Sequence, residues 1–189
     1  MKYDIILSGV GGQGVLSLAA VIATAAAGAG YKVRQSEVHG MAQRGGAVMA
    51  HMRISDGEIY SDLIGKGCAD MVLSMEPLES LRYLTWLSPE GVVVTSTNPV
   101  VNIPNYPEDA DLTAALDKVS KKTLVDDKTL AKEAGSLKTG NMVIVGAASS
   151  HLPVGMEDLK TAVDTLFSRK GDAIVQSNYK ALELGSRVS

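Results

Sequence analysis

The sequence predicts an α/β fold of three layers, helix on sheet on helix, with a mixed, mostly parallel sheet and a Rossmann-like start. Three observations predict it. The apolar run "DIIL" passes into "SGVGGQGV" and then into an Ala/Leu/Val-rich segment without proline, the order strand, tight turn, helix. Strand and helix patterns then alternate to about residue 97, as in a sheet with helices on its faces. The runs "ADMVLSME" and "GVVVTST" are apolar without alternation, the mark of strands buried on both faces. A length of 189 residues suits one domain, 1–189, large enough to bury a core without disulfides.

Residues 3–8 form the first strand, about 13–29 the first helix, and "GYKVRQSE" the second strand, together a right-handed βαβ unit. "AVMAHMRIS" and "EIYSDLI", joined by Asp56-Gly57, read as a β-hairpin, because Asp-Gly is a favoured two-residue turn. "ADMVLSME" is a strand, "PLESLRYLTWL" a helix and "GVVVTST" a strand. Residues 98–109 hold three prolines and no periodicity, and are expected as an extended surface loop. Helix ("DLTAALDKV"), short strand ("KTLVDD") and helix ("KTLAKEAG") come next. "NMVIVGAASSHLP" could be a strand or a buried helix, which periodicity does not separate; its length and small residues favour a helix, stopped by Pro153, and "GMEDLKTAVDTLF" and "AIVQSNYKALELGSR" are helices that close the chain.

Composition narrows the function. A formal net charge of -3 supplies no global field for a phosphate backbone, so nucleic acid is an unexpected partner. The most apolar stretch, "LSLAAVIATAAAGAGY", is interrupted by Ser, Thr and Gly and falls short of a membrane span; with no signal-peptide pattern at the N-terminus, a cytoplasmic protein is expected. A single cysteine, Cys68, forbids an intrachain disulfide and any all-cysteine metal or iron–sulfur site. His39, His51 and His151 lack ligand spacing and read as structural or surface residues rather than a metal site. Met41, Met49, Met52, Met71 and Met75 offer soft apolar surface for a partner, or ordinary core filling.

Two loops carry the candidate chemistry. Gly9, Gly11 and Gly14 match G-x-G-x-x-G between strand and helix, Gly12 and Gln13 complete the loop, and the helix start favours an anion. Glu37, 23 residues beyond Gly14, stands near the place of an acidic ribose ligand. The second loop, "SEVHGMAQRGGAV", gathers Glu37, His39, Gly40, Gln43, Arg44, Gly45 and Gly46. Loops at strand carboxyl ends converge in such folds, so the two should face each other, with Arg44 able to clamp a phosphate or simply to pair with Glu37.

"GVGGQGV", "SEVHGMAQRGG", "MEPLESLRYL" and "NMVIVGAA", in this order, resemble the small subunits of the 2-oxoacid:ferredoxin oxidoreductases, the β subunit of the indolepyruvate enzymes and the γ subunit or domain of the pyruvate enzymes. The resemblance runs from residue 4 to about 185, with no matched motif between about 100 and 135. It implies a subunit, inert alone, of an enzyme that decarboxylates an aryl-2-oxoacid with coenzyme A and reduces ferredoxin. Thiamine diphosphate, Mg and [4Fe-4S] clusters would sit on a large α partner, with coenzyme A meeting the two loops at the interface. The residues agree: the only Gly-Asp pair, Gly171-Asp172, lacks the following glycine and the downstream asparagine of a thiamine diphosphate motif. A heteromer is expected, with a homodimer as the alternative for the isolated chain. The competing readings are an NAD(P)-binding Rossmann oxidoreductase, with Glu37 on the ribose, and a non-catalytic nucleotide-binding or assembly module.

Overall fold

In a computed structural model, residues 1–39 and 45–188 are described. β1 (Lys2–Val10) is buried from Asp4 onward and lies third in a six-stranded sheet. The others are β2 (Lys32–His39), β3 (Ala47–Ser55), β4 (Ala69–Ser74), β5 (Leu87–Ser96) and β6 (Lys122–Val125), in the spatial order β2-β3-β1-β4-β5-β6. β1, β4, β5 and β6 run parallel, whereas β3 is antiparallel to both β1 and β2. The sheet is therefore mixed, as expected, but β2 is not the neighbour of β1. A nine-residue antiparallel ladder, from Lys2 opposite Ser55 to Val10 opposite Ala47, fills that edge of β1 with β3.

The expected hairpin at Asp56-Gly57 does not form. β3 pairs with β2 instead, and residues 58–66 cross one face of the sheet as a strap without strand structure. The cause is a row of side chains. Positions two apart on a strand share a face, so Lys32 and Arg34 of β2 and His51 and Arg53 of β3 project together, by the register that sets Arg34 opposite Arg53. Lys32 pairs with Glu58, and Arg34 with Asp62 at 3.1 Å. Arg53 holds Asp4 through two nitrogens, at 3.0 and 3.2 Å, and donates to the carbonyls of Ser61 and Leu63. The Nδ1 of His51 accepts the Ile64 N–H at 3.1 Å. Ile59 and Ile64 are buried while Tyr60 and Leu63 remain exposed, so the strap does not keep a strand's alternation.

The two faces are covered unequally. Ile5 and Leu7 point into a large core formed with α1 (Val15–Gly28), α4 (Asp127–Ala134), α5 (Gly140–Ala148), α6 (Met156–Phe167) and α7 (Asp172–Ser186). Ile6 points the other way, into a small cluster with Ile64, Val72 and Val93, roofed by the strap and by Tyr83, Leu84 and Trp86. Beside them lie α2 (Pro77–Arg82) and α3 (Asp109–Asp117), joined by β5 and the extended segment 97–108. Met52, Met71 and Met75 are core residues, not partner surface; Met49 packs against the small cluster, and Met41 lies outside the described residues.

α5 is the centre of the helical layer, and all nine of its residues are buried. It ends at Ala148 rather than at Pro153. Its small residues permit near contact with α7: a Cβ on Gly146 would stand 2.1 Å from the Leu182 carbonyl oxygen, and one on Gly185 would stand 2.0 Å from that of Val143.

Candidate functional site

The loop between β1 and α1 lies at the carboxyl edge of the sheet, where β1 connects to one side and β4 to the other. Its glycines have different causes. At Gly9 a Cβ would press within 2.8 Å of Val15 Cγ2 and 3.0 Å of Met75 Cβ, so this glycine serves packing. Gly12 has φ +102° and open space around it; Gly14 caps α1 with φ +84°, and a Cβ there would meet Asn141 Nδ2 at 2.9 Å. Both adopt left-handed backbone that side chains resist.

The two glycine loops meet through their backbones. Gly11 donates its N–H to the Gly46 carbonyl at 2.8 Å and accepts the Gly45 N–H at 3.3 Å, which carries the β1–β3 ladder one step past the strands. Gly11 therefore has no free N–H for an anion. Gln13 is likewise engaged: its Oε1 accepts the Val10 N–H at 2.7 Å and its Nε2 donates to the Met75 carbonyl at 2.9 Å. That side chain ties β1 to β4 across the position where an open α/β sheet otherwise parts to admit a ligand.

The remaining predicted residues separate. Gly40, Gln43 and Arg44 lie outside the described residues, and His39 is described only as the last residue of β2, opposite Val48. Glu37 is exposed, accepts from Gln35 Nε2 at 2.6 Å, and sits opposite Ala50, which is itself opposite Leu7. Glu37 is thus level with Leu7, three residues short of the end of β1 and two strands across. At about 4.8 Å per strand and 3.3 Å per residue, both offsets approach 10 Å. The glycine loop and Glu37 do not form the ribose-binding pair of a dinucleotide fold.

Sequence reasoning missed several anchors. Glu76, buried, caps α2 by accepting the Glu79 N–H at 2.8 Å; its other oxygen accepts the Val100 N–H at 3.2 Å and the Tyr106 hydroxyl. Burial and the Glu76 carboxylate push the Tyr106 phenol far above its ordinary value, so it stays a donor. Asn102 Nδ2 donates to the Gly45 carbonyl at 2.9 Å, and Asn141 Nδ2 approaches the Gly14 carbonyl at 3.4 Å. Met75-Glu76 and Asn141 belong to the quoted motifs "MEPLESLRYL" and "NMVIVGAA", which carried the signal; Asn102 lies where no motif is visible.

Together these elements enclose a cleft of about 270 Å³ lined by Val10, Gly11, Gly12, Gly14, Val15, Leu16 and Val48. None of its lining residues can titrate or act as a nucleophile. Its polar resource is the start of α1, where the first intrahelical bond, Leu18 N–H to Gly14 carbonyl, leaves the N–H groups of Val15, Leu16 and Ser17 before it. Such a cleft suits a slender, uncharged ligand segment and main-chain recognition, not acid–base chemistry. Among the described residues no group of three or more His, Cys, Asp or Glu stands together to hold a metal ion, and no helix is long and apolar enough to cross a membrane. Cys68 is exposed, and Gly171-Asp172 begins α7.

Comparison with known proteins gives one answer. Residues 4–188 match the pyruvate ferredoxin/flavodoxin oxidoreductase family model. The chain is 36% identical over 198 residues to indolepyruvate oxidoreductase subunit IorB of Pyrococcus horikoshii, spanning 100% of this chain and 96% of the relative. It is 37% identical over 194 residues to the subunit of the same name from Archaeoglobus fulgidus, spanning 98% and 94%. Among solved structures, the keto/oxoacid ferredoxin oxidoreductase γ subunit of Geobacter sulfurreducens superposes with a TM-score of 0.71 at 28% identity, over 98% of this chain and 96% of that one. The 2-oxoglutarate:ferredoxin oxidoreductase of Magnetococcus marinus, solved with 2-oxoglutarate, coenzyme A and succinyl-CoA, gives 0.78 at 22% identity, over 99% of this chain and 31% of that one, and shows the shared fold.

Proposed function

Because the chain belongs to the pyruvate ferredoxin/flavodoxin oxidoreductase family, we propose that it is the small subunit of an indolepyruvate-type enzyme, which converts aryl-2-oxoacids and coenzyme A to aryl-acetyl-CoA and CO2 while reducing ferredoxin. The observation that carries this reading is end-to-end identity of 36–37% to subunits of that name. The site supports the division of labour. A glycine cleft without a titratable lining group supplies shape and main-chain donors, and the proton and electron chemistry then belongs to a large partner subunit.

The chain's own residues do not fit the redox groups. One exposed cysteine cannot supply the four thiolates of a [4Fe-4S] cluster. Asp172 opens a surface helix, with no companion ligands for the magnesium of thiamine diphosphate among the described residues. On this reading the thiamine diphosphate, the Mg and the clusters reside on the partner, coenzyme A meets the glycine cleft at the interface, and the complex works in the cytoplasm. The NAD(P) alternative loses its geometric basis with the displacement of Glu37.

The test is reconstitution of this chain with the large subunit from the same genome. We expect ferredoxin reduction that requires indolepyruvate, coenzyme A and both polypeptides. Oxidation of a 2-oxoacid by this chain alone would overturn the reading, and so would an assembled complex that is silent with every aryl-2-oxoacid, which would leave an assembly module.

A further inference from the structure

The two ends of the sheet differ. β6 is four residues long, whereas β2 is eight, and no strand among the described residues lies beyond it. Met75 donates its N–H to the Ser8 carbonyl and Gly11 donates to that of Gly46, so even residues of β1 face β4 and odd ones face β3. Carried across the register, Lys32, Arg34 and Ser36 of β2 face β3, and Val33, Gln35 and Glu37 turn their N–H and C=O groups outward. The outward backbone groups of Val33 and Gln35 have no partner among the described residues.

An open edge of this length is normally blunted by a proline, a bulge or projecting lysines, because a bare ladder pairs with other chains. β2 contains no proline, and its register with β3 runs unbroken from Lys32 to His39. Its two cations are folded onto the strap, Lys32 to Glu58 and Arg34 to Asp62. The same ion pairs hold Tyr60, which lies between them in the chain, at this edge, with Tyr60 94% and Leu63 58% exposed. A bare aromatic residue beside an unpaired ladder is the composition of an interface.

The strand's own sequence selects its occupant. In antiparallel pairing about a two-fold axis, opposed residues share a face, so the axis passes through one residue of β2. An axis at Val33, Arg34 or Glu37 sets like charges against each other, which destabilises the pair. An axis at Gln35 opposes that residue to itself and leaves Glu37 against apolar Val33. An axis at Ser36 sets Gln35 of each copy against Glu37 of the other, an amide donor against a carboxylate, and brings the two Ser36 hydroxyls together. It also suits the backbone: Ser36 faces β3 and makes the closer kind of pair, which lacks hydrogen bonds, while the outward groups of Gln35 and Glu37 supply the bonds on either side.

We propose that β2 is the contact between two copies of this chain, paired antiparallel about Ser36 so that two six-stranded sheets become one. The contact is one strand pair about 26 Å long, smaller than the standard interface of about 800 Å² per partner, so the dimer is reversible with micromolar dissociation. The assignment does not rest on the functional reading. The glycine cleft opens beside β1, two strands away, and stands clear of it.

Sedimentation velocity of the full chain from about 1 to 100 μM is expected to show a monomer–dimer equilibrium. Ser36→Glu opposes two carboxylates at the axis, and Gln35→Pro removes an outward N–H; each should weaken dimerisation by about fivefold or more, with thermal unfolding checking that each variant is folded. The exposed native thiol is removed by Cys68→Ser for cross-linking. In that background Ser36→Cys should form an intermolecular disulfide on mild oxidation and Gln35→Cys should not, because only the axial residue meets its own copy at bonding distance. The Ser36→Cys cross-link should also form with the large subunit bound. A monomer throughout the range, a dimer indifferent to both variants, or a cross-link at Gln35→Cys and not at Ser36→Cys overturns the proposal. Loss of the Ser36→Cys cross-link on adding the large subunit overturns it too and assigns the edge to a strand of that subunit. Ferredoxin reduction by the reconstituted complex is a separate readout, so failure of the dimer leaves the functional reading intact.

Discussion

Gly185→Ala should destabilise the protein although it improves helix propensity. In an isolated helix this change stabilises by about 0.8–1.0 kcal/mol. Here the added methyl would stand 2.0 Å from the Val143 carbonyl oxygen and 2.9 Å from the Ala147 nitrogen, both backbone atoms of α5. An ordinary C···O approach is about 3.3 Å, so α5 and α7 would have to part by roughly 1 Å. All nine residues of α5 are buried, and the displacement would propagate into a close-packed core. Because the obstacles are backbone atoms, the upper part of the overpacking range applies, about 2–3 kcal/mol, and the net loss should be about 1–2 kcal/mol after the propensity gain. For a chain of this size that lowers Tm by about 2–8 °C. Gly146→Ala should behave alike, because its Cβ would lie 2.1 Å from the Leu182 carbonyl oxygen at the same crossing. The double variant should lose less than the sum, since helices parted for one methyl already accommodate the other. Gly28→Ala is the control: it ends α1, meets nothing within 4 Å, and should leave Tm unchanged or raise it. Differential scanning calorimetry of these variants beside wild type decides the matter; a Tm of Gly185→Ala at or above wild type would show that the helices are not in backbone contact.

Gln13→Ala should lower stability by about 1–3 kcal/mol in urea titrations, because it strands the Val10 N–H and the Met75 carbonyl; an unchanged midpoint removes the clamp. His51 should make stability pH-dependent. Burial and Arg53 hold its pKa below the ordinary 6.5, and its Nδ1 must stay unprotonated to accept from Ile64. The unfolded chain then binds the proton more readily, so this contribution is complete above about pH 6.5 and is lost as pH falls through the depressed folded value. Urea midpoints of wild type and His51→Gln should converge as pH drops from 8 to 5, and parallel curves would refute it. Glu76→Gln should leave the Val100 N–H and the Tyr106 hydroxyl on a weaker acceptor and speed hydrogen exchange at the Val100 amide by about tenfold; unaltered exchange would show that Glu76 does not anchor segment 97–108.

Local patterning made most of the fold legible. The apolar run before "GVGGQG" and the valines of β5 announced their strands, because buried strands admit few other compositions, whereas the apolar run of α5 fitted a strand as well and only its length and small residues favoured the helix that forms. The hairpin at Asp56-Gly57 misled because a turn dipeptide reports a bend but not the pairing partner of the next segment. The side chains of β2 and β3 that capture residues 58–64 lie up to 28 positions from their partners in sequence. Spacing from Gly14 placed Glu37 correctly along the chain but not in space, since nothing local to β2 reveals that β3 enters between it and β1. At the site, positive φ at Gly12 and Gly14 is the natural result of a tight turn after a strand, whereas the engagement of Gln13 depends on Met75, 62 positions away.

The insertion of β3 fixes what this scaffold can become. Recasting this fold as a nicotinamide-binding one would call for exchanges at the tip of the second strand, where a dinucleotide fold carries its ribose ligand. Here such exchanges would remodel an outer margin that the cofactor's sugar never reaches, and only excising the intervening ribbon and rejoining its flanks would bring that margin alongside the glycine turn.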